Sequence, residues 1–161
     1  MIVIVMGVVG AGKTTVGRLL ADEMGWKFAD ADDYHPAANI EKIRNGIPLT
    51  DADRKPWLDR LRGAINGWIA DGRDAVLACS ALKRIYRQEL QAGPEVRFVY
   101  LKGRPELIAE RLRARHGHFA NEQILASQIS DLEEPEDAVV VDIASSPPEM
   151  VRQIRQRLGL S

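Results

Sequence analysis

Short apolar runs alternate along the chain with longer segments in which apolar residues recur every three or four positions. The run Ile2–Met6 is continuous and mostly β-branched, which is typical of a strand buried on both faces of a parallel sheet. Comparable runs follow at 26–29, 74–80, 97–103 and 138–143. The hydrophobic pattern therefore predicts five strands.

The segments between these runs have the spacing of amphipathic helices. Val16, Leu20 and Met24, for example, recur at helical intervals before Gly25, a residue type that commonly ends a helix. The predicted helices lie at 14–24, 39–45, 51–71, 83–91, 105–116, 122–132 and 148–158. Because strands and helices alternate, we expect one α/β domain over residues 1–161, with a five-stranded, mostly parallel sheet covered by helices on both faces.

The composition excludes several functional classes. With 22 basic and 23 acidic residues the net charge is -1, whereas nucleic-acid and membrane-surface binders usually carry a basic excess. The single cysteine, Cys79, cannot form an intramolecular disulfide, and its place in an apolar strand predicts an inert core residue. The apolar N-terminus lacks a basic segment, and no run approaches the roughly 18 residues of a membrane span. We therefore predict a cytoplasmic protein with no nucleic-acid and no membrane partner.

The most informative motif directly follows the first strand. The sequence "GVVGAGKT" fits the phosphate-loop pattern G-x-x-x-x-G-K-[ST] and precedes a predicted helix, which is the context that the motif requires. Glycines allow backbone amides to converge on phosphate oxygens at the positive end of that helix. Lys13 is expected to bridge the β- and γ-phosphates, and Thr14 to ligate Mg²⁺. The expected cofactors are ATP and Mg²⁺. The predicted nucleotide-binding residues are Gly7, Val8, Val9, Gly10, Ala11, Gly12, Lys13, Thr14 and Thr15.

A phosphate loop by itself does not define the reaction. The sequence has no N-K-x-D motif, by which GTPases read the base, and 161 residues leave little room for a motor domain. A small-metabolite kinase is therefore the most economical interpretation. A nucleotide-binding switch without turnover is the alternative from a different class.

The acceptor side of a kinase site is predicted at the end of the second strand. The stretch "ADADDYHP" places Asp30, Asp32, Asp33 and His35 directly after that strand. If the second strand lies beside the first, its carboxyl end lies next to the phosphate loop. A carboxylate there can accept a hydroxyl proton or hold Mg²⁺ through water. Asp33 is equally well explained as a helix cap.

Five sequence blocks resemble the gluconate kinases (gluconokinases), a shikimate-kinase-like group of phosphate-loop kinases. The blocks are "GVVGAGKTT", "DADDYHPAANIEKIRNGIPLTDADRKPWL", "CSALKRIYR", "FVYLKG" and "ARHGHFANEQILASQISDLEEP". The resemblance implies a three-layer P-loop kinase fold, with an acceptor-binding helical region at about 33–72 and a small lid at about 111–131. It also implies that a homodimer uses ATP to phosphorylate D-gluconate at its 6-hydroxyl.

The resemblance further implies roles for residues of the acceptor region. Asp32 looks like the acceptor-binding carboxylate and general base, and Asp30 like a group that holds Mg²⁺ through a water molecule. The implied substrate-binding residues are Asp32, His35, Asn39, Arg54, Lys83 and Arg84. A solvated surface charge is the alternative for any one of the basic residues among them.

Two arginines are predicted on the lid. Arg111 and Arg115 lie four residues apart, on one helix face, just before "HGHF". In similar kinases such arginines stabilise charge on the transferring phosphoryl group and exclude water. Arginines on a solvated helix face are the alternative. His116 and His118 have no third ligand nearby in the sequence, so we expect a lid or hinge role rather than a metal site.

The chain departs from the family pattern at two positions. Val9 stands where the family often has serine, and Ala31 where it often has glycine. Both positions contribute mainly backbone, so activity is expected to survive. Shikimate kinase fits less well, because "CSALK" replaces the triple-glycine turn of that family. Another small hydroxy acid or a nucleotide is the alternative substrate.

Overall fold

A parallel β-sheet forms the centre of the computed structural model, which describes residues 1–116 and 119–161, with side chains described outside 115–122. Within these residues, the strands are β1 Ile2–Met6, β2 Lys27–Asp30, β3 Ala75–Ala78, β4 Val96–Lys102 and β5 Val139–Asp142. They form one sheet in the order β2-β3-β1-β4-β5, and every pairing is parallel. The predicted five-stranded α/β architecture is therefore confirmed.

The helices lie close to the predicted segments. They are α1 Lys13–Met24, α2 Ala37–Arg44, α3 Asp51–Ala70, α4 Arg84–Leu90, α5 Pro105–His116, α6 Phe119–Asp131 and α7 Pro147–Leu158. Thr50 and Asp53 cap α3 reciprocally, each side chain accepting a backbone N–H of the other residue. The helices of the described residues all fall short of the length or the apolar character that a membrane-spanning segment needs.

Burial on both faces explains the uninterrupted apolar run of β1. Val3 and Val5 pack with residues of α1 and α7 on one face of the sheet. Ile2, Ile4 and Met6 pack on the other face with residues of α3 and α4. Since all five side chains are fully buried, neither face of β1 leaves room for a polar residue. The sheet is thus the middle layer between two helical layers.

The position of β2 differs from the expectation that the second strand lies beside the first. The structure places β3 between β1 and β2. All four residues of β3 are buried, whereas β2 begins with the exposed Lys27. A charged, half-exposed strand is better solvated at the edge of a sheet than in its interior, which gives β3 the inner place. The carboxyl ends of β1, β3 and β2 still emerge along the same edge.

A buried arginine fixes the loop that leaves β3. Arg87 on α4 is 9% exposed. It donates hydrogen bonds to the carbonyl oxygens of Ala81, Leu82 and Glu133, at 2.8, 3.0 and 2.7 Å. The amide of Glu133 in turn donates to the Leu82 carbonyl at 2.8 Å. The β3–α4 loop, in which Ala81 adopts a positive φ of 47°, is thereby fastened to the segment that follows α6.

We predict that Arg87→Met lowers the free energy of unfolding by roughly 2–4 kcal/mol, because methionine keeps the apolar stem but leaves buried carbonyl groups without their charged donor. Urea unfolding followed by circular dichroism measures the change. The matched control is Arg97→Met, at an exposed position of β4, which should have little effect. Equal losses for the two variants would contradict the assigned role of Arg87.

Candidate active site

A cavity of about 840 Å³ opens at the carboxyl edge of the sheet. Its wall combines the phosphate loop, the ends of β2 and β3, the segment from α2 to α3, and one face of α6. Ligands of parallel α/β sheets bind at this edge, because the loops that leave adjacent strands meet there. The donor and acceptor halves predicted from the sequence therefore share one cavity.

The phosphate loop has the backbone geometry that its glycines predict. Gly10 and Gly12 have φ values of 82° and 99°, in the left-handed region that favours glycine. A Cβ atom at Gly10 would lie 2.8 Å from Cγ of Leu112, because α5 packs directly on the loop. Within the described residues no side chain caps the N-terminus of α1, which begins immediately after Gly12. Its first amides are thus available to an anion.

Lys13 lies in a conflicting electrostatic environment. Its Nζ donates to the Val8 carbonyl at 3.0 Å. Burial lowers the pKa of Lys13, and the nearby carboxylates of Asp32 and Asp30 partly oppose that shift. A phosphate group bound to the loop would add a further anionic partner and so favour the charged form of this buried amine.

Thr14 and Asp30 form the candidate metal position. Thr14 Oγ1 donates to Asp30 Oδ2 at 3.1 Å, and Asp30 Oδ1 accepts the amide of Asp32 at 2.9 Å. Within the described residues, no cluster of three or more His, Cys, Asp or Glu side chains could hold a metal ion by itself. One hydroxyl and one carboxylate beside a phosphate loop fit Mg²⁺, which prefers oxygen ligands and takes several of them from phosphates and water.

Asp32 faces the cavity from a short 3₁₀ turn, Ala31–Tyr34, which directly follows β2. The Asp30 side chain caps this turn, so the predicted capping role of Asp33 falls to Asp30 instead. Partial desolvation, together with the negative charge of Asp30, raises the pKa of Asp32, and Lys13 opposes that shift. A carboxylate of raised basicity beside a phosphate site has the properties of a general base.

The ring of His35 is fixed by packing and by a hydrogen bond. It stacks on Trp57, with centroids 4.5 Å apart and planes at 10°. Asn39 Nδ2 lies 3.2 Å from His35 Nδ1 and also donates to the Asp53 carbonyl at 2.8 Å. An amide nitrogen can only donate, so Nδ1 is the acceptor and the Nε2 atom carries the ring proton. Burial, and then the Arg54 charge, lower the pKa of His35 to about 4.

Arg54 lines the cavity and is the centre of a polar network. Its guanidinium donates to the Tyr86 hydroxyl at 2.9 Å and lies 3.6 Å from the Asp131 carboxylate on α6. The Tyr86 hydroxyl donates to Asp51, which also pairs with Lys83 at 3.1 Å. Arg54 therefore reaches the cavity with its orientation already fixed.

Several of the remaining predicted residues do not line the cavity. Among the described residues, neither Lys83 nor the exposed Arg84 forms part of its wall; the amide of Arg84 donates to Glu133. Arg111 donates to the Ile143 carbonyl at 2.8 Å, on the loop after β5. The side chains of Arg115 and His116, and the whole of His118, fall outside the described part of the structure. Cys79, which directly follows β3, is 1% exposed, which confirms its predicted core position, and burial raises the pKa of its thiol to about 12.

Known proteins share both the sequence and the structure of this chain. A family model for shikimate kinase matches residues 9–158. The thermosensitive gluconokinase of Escherichia coli (strain K12) is 42% identical, over 95% of this chain and 84% of that protein. A probable gluconokinase of Xenopus tropicalis is 43% identical, over 96% and 91%. The crystal structure of a gluconokinase from Sinorhizobium meliloti 1021 superposes with a TM-score of 0.87 at 41% identity, covering 98% of this chain and 90% of that one.

The chain belongs to the gluconokinase family, within the shikimate-kinase-like proteins. Shikimate kinase from Aquifex aeolicus shares the fold alone, with a TM-score of 0.60 at 18% identity. The P-loop kinase fold predicted from the resemblance is therefore confirmed.

The gluconokinase-family cavity also contains residues that sequence reasoning did not select. Ile124, Ser127 and Gln128 of α6 line it, as does Arg44 at the end of α2. The spacing of Ile124, Ser127, Gln128 and Asp131 indicates one helix face. That signal was present in the sequence, but it does not show which part of the fold the face covers.

We predict that the free energy of unfolding decreases as the pH falls from about 6.5 toward 4. In this window the unfolded chain protonates His35, whose ordinary pKa is 6.5, whereas the folded protein takes up that proton only near its pKa of about 4. Stability from this source is complete above the unfolded pKa. Urea unfolding at several pH values measures the slope, and His35→Gln should remove part of it. Identical slopes for the two proteins would contradict the lowered pKa of His35. The pH dependence of stability is the readout because the variant also loses the stack on Trp57, which lowers stability at every pH.

Proposed function

We propose that this protein transfers the γ-phosphoryl group of ATP to the 6-hydroxyl of D-gluconate, giving 6-phospho-D-gluconate and ADP. The observation that carries the proposal is the meeting of a phosphate loop, Asp32 and the Arg54–His35 side of the acceptor region in one cavity. The names of the E. coli and Sinorhizobium meliloti relatives support gluconate as the acceptor.

The phosphate loop, Gly7 to Thr15, binds the triphosphate. Its amides and the open N-terminus of α1 donate to phosphate oxygens. Lys13 exchanges its contact with the Val8 carbonyl for the β- and γ-phosphates. Because the lysine amine is buried, its charge acts on the transferring group with little screening by water.

Thr14 would hold Mg²⁺ directly and Asp30 would hold it through water, and the bound ion would neutralise negative charge on the phosphates. The Thr14–Asp30 hydrogen bond, at 3.1 Å, places both oxygens on one side of the loop. Asp30 thus performs two functions, since it also holds the amide of Asp32.

Asp32 accepts the proton of the 6-hydroxyl as that oxygen attacks phosphorus. Its raised pKa makes it a stronger base, and Lys13, which is itself a cation, lies on the same cavity wall. The gluconate carboxylate then lies toward Arg54, whose planar guanidinium suits carboxylate recognition. His35 contributes a neutral ring donor for a hydroxyl, and Asn39 holds that ring in place.

Other roles remain predictions of the family resemblance. In this arrangement Lys83 acts through Asp51, the carboxylate that also accepts a hydrogen bond from the Tyr86 hydroxyl. A contact of Arg84 with substrate is likewise a prediction, since Arg84 does not line the cavity. Arg111 and Arg115 belong to the predicted lid at about 111–131. The homodimer is likewise a prediction, which the molecular mass in solution, measured by light scattering, decides.

We predict that, in a coupled assay of ADP release, D-gluconate is the preferred acceptor over shikimate, other sugar acids and nucleoside monophosphates. The physical reason is a pocket with one oriented arginine and several hydroxyl partners, which matches one carboxylate on a polyhydroxy chain. Omitting the acceptor measures background hydrolysis. A higher kcat/KM for any other compound in the panel would overturn the assignment of the substrate.

We predict that Asp32→Asn keeps nucleotide affinity but reduces kcat by about 10²- to 10⁴-fold, because the amide cannot accept the hydroxyl proton. Steady-state kinetics and calorimetric titration with ADP measure the two effects. The matched control is Asp33→Asn, an exposed neighbour in the same turn, which should keep its kcat. An unchanged kcat for Asp32→Asn would refute the role of base.

A further inference from the structure

Among the described residues, one side chain of α6 makes a hydrogen bond to the phosphate loop. Gln128 Oε1 accepts a hydrogen bond from the amide of Val9 at 2.7 Å, although the two residues are 119 positions apart. Val9 is the third residue of the loop and has no polar side-chain atom, so its amide is the only polar group that it can donate from. The contact fixes the loop where it turns toward Lys13.

The direction of this hydrogen bond determines the orientation of the carboxamide. Since the backbone N–H of Val9 is a donor, the atom that meets it must be the amide oxygen. The other end of the group is then an NH₂ donor, in a side chain that lines the cavity. Within the part of the chain that the structure describes, no hydrogen bond uses Gln128 Nε2.

The C-terminal end of α6 is anchored on the acceptor side. Asp131, three residues after Gln128, pairs with Arg54 at 3.6 Å. Beyond the helix, Glu133 is bonded to Leu82 and Arg87 through its backbone. Helix α6 is thus anchored to the phosphate loop through Gln128 and to the acceptor network through Asp131. These two anchors leave the Gln128 carboxamide little freedom to rotate.

We propose that Gln128 is a catalytic residue whose NH₂ group donates to an oxygen of the γ-phosphoryl group, while its amide oxygen is oriented by Val9. A carboxamide suits this place because it is a neutral donor, so it stabilises phosphate charge without adding a further anion next to Asp30 and Asp32. The inference rests on the proposed function for the identity of the acceptor, but not for the contact with the nucleotide.

The decisive variant is Gln128→Glu. Glutamate keeps an oxygen that can accept the Val9 amide, but it removes the NH₂ donor and adds a negative charge. We expect its affinity for a non-hydrolysable ATP analogue to fall about tenfold, the usual effect of one hydrogen bond to a charged group, while its affinity for ADP changes by less than about twofold. We further expect kcat to fall by about 10²-fold or more, as when one oxyanion donor is removed.

Gln128→Ala and Ser130→Glu complete the comparison. Gln128→Ala removes both ends of the carboxamide, so it should lose kcat as well and also weaken ADP, because the loop loses its anchor. Ser130→Glu adds the same charge at an exposed position two residues further along α6, where a helix turns its side chains away from Gln128. It should behave like the unmodified protein.

Isothermal titration with the two nucleotides needs no acceptor, so it tests the contact even if gluconate proves not to be the substrate. Weakening of the ATP analogue alone in Gln128→Glu supports the proposal. If Gln128→Glu binds both nucleotides normally while Gln128→Ala weakens them equally, Gln128 is merely a structural anchor and the proposal is overturned. Equal weakening in Ser130→Glu would also overturn it, since the effect would then come from charge on α6 in general.

Discussion

Strand β1 is paired on both sides and buried on both faces, and the site depends on that position. It lies in register with β3 on one side and β4 on the other, so its direction is fixed by hydrogen bonds along both edges. The chain must leave its end at the carboxyl edge of the sheet, where the glycine loop reverses it into α1. Gly10 keeps this reversal tight, because α5 packs against the loop with no room for a side chain.

The charged side chains of the site are partly removed from water and interact with one another. Lys13, Asp30 and Asp32 lie on one cavity wall. Burial lowers the pKa of Lys13 and raises that of Asp32; the two carboxylates oppose the first shift, and the charge of Asp30 adds to the second. Lys13 is positioned to bind an anion. The environment of Asp32 favours the uptake of a proton by its carboxylate. Those are the two demands of phosphoryl transfer, in which negative charge stays on phosphate while a hydroxyl loses its proton.

The donor and acceptor halves are connected through α6 and the loop after β3. Gln128 meets the phosphate loop, Asp131 meets Arg54, and the segment after the helix is fastened by Arg87. The two halves therefore share one set of connected contacts. Helix α6, which contains none of the predicted acceptor residues, thus contributes Ile124, Ser127 and Gln128 to the cavity wall.

The sequence alone determined the features that depend on local patterns. Periodicity located the strands and helices to within a few residues, and the glycine spacing located the phosphate loop, because short-range sterics and hydrogen bonds determine both. Family resemblance further brought Asp32, His35 and Arg54 into consideration, and all three line the same cavity. The tertiary structure decided the insertion of β3 between β1 and β2, the pairing of Lys83 with Asp51, and the contact of Gln128 with Val9. These depend on which segments compete for the sheet interior and which side chains meet across more than a hundred residues, and local sequence patterns carry no information about such long-range contacts.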